Sequence, residues 1–131
     1  MRYMLSIYVD ESSFADATPE DRERMSNAYA DFTDEIDKAG VLRGGDGLQP
    51  SPTATTVRVR EGELLLTDGP FAETREQLAG FYLLECADLD EAVRWAAKVP
   101  SAAMGSVEVR PVITYDDRVA RAQSGGAAAH A

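Results

Sequence analysis

The residue types best suited to chemistry fall between Tyr29 and Arg110. Asp68-Gly69-Pro70 sets a carboxylate beside a glycine that tolerates unusual dihedrals and a proline that ends a strand. Asp68 could act there as acid or base, with the exposed amides after it receiving an anion or a carbonyl oxygen. The competing reading is a structural turn in which Asp68 bonds its own backbone. Phe71 would then pack under the turn rather than stack on a ligand. Glu73 and Glu76, three residues apart, fit one helical face. Paired carboxylates can split their pKa values and exchange protons, or can simply line a solvated first turn. Arg110, followed by Pro111, carries a fork suited to a carboxylate, or to pairing with Glu108, Glu85 or Asp68. Cys86 lies in an apolar segment with no cation beside it, which suits inert packing. One cysteine and one histidine, His130, cannot make a zinc site, and no phosphate-binding or nucleophile-elbow motif is present. The expectation is therefore no metal and no cofactor.

Several elements must position these groups. Residues 2–9 read as a strand with Tyr3, Leu5, Ile7 and Val9 on one face and Met4, Ser6 and Tyr8 on the other. Thr18-Pro19-Glu20-Asp21 is a helix start, and Met25, Ala28, Tyr29, Phe32 and Ile36 recur at helical spacing until Gly40 ends the helix. A short strand from Val41 runs into the Gly44–Gly47 stretch. Residues 53–60 and 63–67 form a hairpin about Glu61-Gly62. Thr74-Arg75-Glu76-Gln77 matches a capping box and predicts a short helical turn before an apolar strand from Gly80 to Cys86. A second box at Asp88 opens a helix with an apolar face of Leu89, Ala92, Val93, Ala96 and Val99, and residues 106–113 give the last strand. This order predicts a ferredoxin-like βαββαβ α+β domain over residues 1–117 with an inserted hairpin, followed by a flexible tail over 118–131. Both helices would cover one sheet face. The open face would carry Met4 and Tyr8 with Arg58, Arg60, Glu108 and Arg110.

The 131 residues hold 13 Lys+Arg against 23 Asp+Glu, a formal charge of −10. Nucleic acid and anionic membrane surfaces are thereby disfavoured as partners. Much of the excess lies between Asp10 and Asp37, where the acids face only Arg22 and Arg24. A single cysteine, no signal-like segment and no apolar run near ~20 residues together suggest a cytoplasmic protein.

Residues 67–85, TDGPFAETREQLAGFYLLE, resemble the signature of DGPF-domain proteins, a branch of the YCII-related family. The likeness extends through Leu48-Gln49-Pro50, residues 54–60, residues 91–96 and residues 106–112, covering about 1–115. It implies two subunits joined through their open sheet faces into a dimeric α+β barrel. For the wider family it implies enzymatic work by a His-Asp pair in a cleft beside the sheet. The helical histidine of such relatives would fall near Tyr29, so a base titrating near neutrality is missing from the body. A core-edge tyrosine is the simpler role for that position.

The combined expectation is a small cytoplasmic homodimer. Its cleft would bind a small polar or anionic molecule, with Asp68 as catalytic candidate and Gly69, Phe71, Tyr82, Arg110 and Tyr29 as ligand contacts. The alternative is a non-enzymatic interaction or regulatory module, which the resemblance would link to extracytoplasmic-function sigma factors.

Overall fold

The computed structural model describes residues 1–113; the domain end expected at residue 117 and the tail expected over 118–131 lie outside them. β1 (Arg2–Val9) alternates as its sequence requires, with Tyr3, Leu5, Ile7 and Val9 buried in the core. α1 (Pro19–Lys38) begins on a reciprocal cap. The Asp21 amide donates to the Thr18 hydroxyl at 3.1 Å, and the Thr18 amide donates to the Asp21 carboxylate at 3.0 Å. Phe32 and Ile36 carry its stripe into the core, while Met25, Ala28 and Tyr29 lie at its margin. Gly40, at φ +77°, takes the chain out of the helix.

β2 (Leu42–Gly47) absorbs the glycine stretch expected to follow a strand. The reason lies across the ladder. A Cβ on Gly45 would stand 2.6 Å from the Phe81 carbonyl oxygen, and one on Gly80 would stand 2.8 Å from that of Asp46. Close approach to the neighbouring strand demands glycine there.

Among the described residues, β3 (Thr55–Arg60) and β4 (Glu63–Asp68) pair only with each other, in a two-stranded sheet of their own. Glu61 and Gly62, at φ 52° and 77°, make the tight turn between them. Arg58 and Arg60 therefore stand on this hairpin and not on the open face of the main sheet, where they were expected.

β5 (Gln77–Glu85) starts three residues earlier than its apolar run suggested. The expected helical turn at 74–77 is absent, because Thr74 spends its hydroxyl on the Glu76 carbonyl and the Gln77 side chain bonds the Thr74 carbonyl. α2 (Leu89–Ala96) is capped by Asp88, whose carboxylate accepts from the Glu91 amide at 2.9 Å. It buries Ala92 and Ala96, while Leu89 and Val93 on its flank stay about half exposed. A short 3-10 turn over Pro100–Ala103 leads to β6 (Ser106–Pro111).

The main sheet has the order β2-β5-β1-β6, with every neighbour antiparallel. This α+β arrangement is compatible with a ferredoxin-like plan into which the β3–β4 hairpin is inserted. Its core joins one sheet face to both helices, with Leu5, Ile36 and Leu84 fully buried. On the other face Met4 lies between Leu83 and Arg110, and Ser6 lies between Phe81 and Glu108. Among the described residues, no helix is long and apolar enough to cross a membrane.

Candidate functional site

The register of β1 decides which candidates can meet. Leu5, in the core, is opposite Tyr82, whereas the adjacent Met4 is opposite Arg110. Successive strand residues point to opposite faces, so Tyr82 faces the helices and Arg110 faces away from them. Arg110 is exposed there and pairs with Glu108 at 2.8 Å, which holds its guanidinium further toward the charged form. That is one of the alternatives raised by its sequence context.

Asp68 and Gly69 lie at the base of the hairpin. Gly69 has φ +98°, its amide donates to the Ala54 carbonyl at 2.7 Å, and its carbonyl accepts from the Thr56 hydroxyl at 2.9 Å. Of the amides expected to receive an anion, that of Gly69 is thus already bonded within the chain. Phe71 is 78% exposed, with the Arg58 guanidinium 5.4 Å from its ring centre. Glu76 accepts a hydrogen bond from Ser106 at 2.7 Å, while Glu73 is exposed. Cys86 is buried, and that burial pushes its thiol pKa up, as suits an inert packing residue.

Tyr29 and Tyr82 do come together. Both line a cleft of about 560 Å³ between α1 and the β2–β5 side of the sheet, with Thr33, Ser101, Phe14 and Asp46. Tyr29 and Thr33 are four residues apart and share a helix face. The Tyr29 hydroxyl donates to the Ser101 hydroxyl at 2.6 Å, and Thr33 and Tyr82 share a hydrogen bond of 2.8 Å. Phe32 meets the Tyr82 ring edge-on at 5.3 Å between centres, which fixes that ring. Burial raises the Tyr29 pKa above its ordinary value of 10.0, against the lowering effect of the Ser101 hydrogen bond. At neutral pH Tyr29 is therefore a hydrogen-bond donor and not a base.

Each hydroxyl pair uses one O–H in its internal bond, and the second O–H of each pair is not used in that bond. Gly45, Gly47 and Gly80 form a wall without side chains, so backbone borders the cleft directly. Among the described residues no Lys or Arg lines it, and Asp46 is its one carboxylate. Thr33, Ser101 and Asp46 were missed as candidates from sequence. The i, i+4 spacing of Tyr29 and Thr33 was the available signal for the first of them. A wider hollow of about 1460 Å³ runs along the first half of α1, but it is open and its ions are partly paired, as in Lys98–Glu35 and Arg24–Asp21. The smaller cleft is the one that combines convergent hydroxyls with apolar walls. Among the described residues no cluster of His, Cys, Asp or Glu is placed to hold a metal.

Comparison with known proteins gives the chain its family. The model of the YCII-related domain matches residues 1–116. An uncharacterised protein of Rhizobium meliloti (strain 1021) is 41% identical over 117 residues, which span 88% of this chain and 94% of that protein. The chain belongs to the YCII-related domain family.

Proposed function

We propose that this protein binds a small, uncharged polar molecule in the cleft beneath α1, as one subunit of a homodimer joined through the open sheet faces. The carrying observation is the convergence of four hydroxyls, on Tyr29, Thr33, Tyr82 and Ser101, at one cleft of about 560 Å³. Phe14, Ile7 and Val9 give that cleft an apolar floor, so a ligand with an apolar body and hydroxyl, amide or carbonyl edges suits it. The anionic ligand that the sequence also allowed meets no cation there among the described residues. Asp68 and Arg110 line no part of this cleft. The open sheet face supports the dimer through its apolar centre of Met4, Phe81 and Leu83, which neither α1 nor α2 covers.

A thermal-shift screen of small neutral and anionic fragments tests the reading, using the wild type and a Thr33→Val/Tyr82→Phe variant. Removing both partners of a hydrogen bond leaves no orphaned group, so the variant should fold with little change in stability. A neutral fragment at ~100 times its dissociation constant should stabilise the wild type by about 2.7 kcal/mol. That gain should shrink strongly in the variant. Equal stabilisation of both proteins would contradict the cleft assignment.

A further inference from the structure

The β3–β4 hairpin is too exposed for a structure of its kind. A lone two-stranded hairpin is marginal in water, and stability normally comes from packing one face against something else. Here every residue of β4 is exposed. The register puts Val57, Val59, Leu64 and Leu66 on one face, and they are 58%, 60%, 63% and 62% exposed. An apolar patch of this kind on a soluble domain marks an interaction surface.

The hairpin is nonetheless anchored at its base. The Glu11 carboxylate accepts from both the amide and the hydroxyl of Ser51, at 2.7 and 2.5 Å, and Gly69 is held by Ala54 and Thr56. It is a positioned arm presenting a face that no other described residue of the chain covers.

We infer that this apolar face docks on a second copy of the same chain, making the hairpin a dimerisation arm. The inference deepens the homodimer of the proposed function and rests on it. Charge favours a second copy. A chain of net charge −10 repels itself over most of its surface, and between Val57 and Leu66 this face offers apolar side chains alone, so symmetric copies meet there without opposing like charges. Continuity favours it as well. The arm leaves the end of β2 and returns to the start of β5, the strand that supplies Phe81 and Leu83 to the open sheet face. That face has a small apolar centre flanked by the Arg110–Glu108 pair, whereas a stable interface takes about 800 Å² from each partner. The arm supplies further apolar area on the same chain.

Sedimentation equilibrium of the full chain tests this with two arm variants, Val59→Asp/Leu66→Asp and Val59→Thr/Leu66→Thr. Threonine keeps a good strand former, so the second variant guards against simple loss of the hairpin. A Phe81→Asp variant probes the sheet face separately. The wild type should sediment at twice the 14.2 kDa chain mass. The aspartate variant should raise the dimer dissociation constant at least 100-fold, and the threonine variant about 10-fold, both with unchanged far-ultraviolet circular dichroism. Arm variants that dimerise like the wild type would overturn the arm. If Phe81→Asp alone dissociates, the sheet-face dimer stands without it. A monomeric wild type would overturn both.

Discussion

The main sheet and the hairpin are built from the same residue types, yet they meet opposite fates. Leu5 and Leu84 in the sheet are completely buried, while Leu64 and Leu66 in the hairpin are more than half exposed. Alternation of Val, Leu and Thr tells that a strand has an apolar face. It does not tell whose surface covers that face. In the sheet the cover is α1 and α2 of the same chain. In the arm, by the inference above, it is another copy. The two regions should therefore respond differently to equivalent changes.

The largest contrast is in the leucines. Leu84→Ala should cost about 2–5 kcal/mol in denaturant unfolding, through lost burial and a cavity among Leu5, Ile36 and Tyr3. Leu64→Ala on the arm should change the unfolding of the monomer by no more than about 0.5 kcal/mol. An equal loss at both positions would show that the arm folds onto its own body.

Glycines give the next contrast. Gly45→Ala forces a Cβ against the Phe81 carbonyl at 2.6 Å, on a backbone of φ +153°. It should cost about 2–4 kcal/mol and open the wall of the cleft. Gly62→Ala at the arm tip meets no atom within 4 Å and carries only the torsional cost of φ +77°, about 1 kcal/mol.

The hydroxyls give the smallest contrast. Tyr29→Phe leaves the buried Ser101 hydroxyl without its donor and should cost about 1–2 kcal/mol. Its pH dependence sharpens the result. The folded pKa of Tyr29 is raised, so its contribution is complete below the ordinary value of 10.0 and is lost as pH rises through the higher folded value. Wild type and Tyr29→Phe should differ by a constant amount through neutrality and converge in alkaline solution. On the arm, Thr56→Val removes a half-exposed bond to the Gly69 carbonyl and should cost about 0.5 kcal/mol, with no alkaline dependence.

Much of the fold was legible because its signals are local. The cap at Thr18, the turn at Glu61-Gly62 and the alternation of Tyr3, Leu5, Ile7 and Val9 each act within a few residues. What was not legible depends on partners distant in sequence. That the strand from Val41 continues through Gly44–Gly47 could not be read locally, because the reason for those glycines, the approach of Phe81 and Gly80, lies more than thirty residues away. Arg58 and Arg60 were placed on the main sheet because pairing partners cannot be read from alternation. The candidate site shows the same limit. Tyr29 and Tyr82 were named for separate reasons, and only the β1–β5 register brings them to one cleft. Ser101 joins them through the turn after Pro100, which carried no functional signal of its own.

The cleft beneath α1 is the central claim, and amide chemical-shift mapping of the full chain with a stabilising neutral fragment tests it most directly. The account expects the largest shifts at Thr33, Gly45, Gly80 and Ser101, with Gly69 and Arg110 unmoved. Shifts concentrated at Gly69 or Arg110, with Thr33 and Gly80 unmoved, would contradict it.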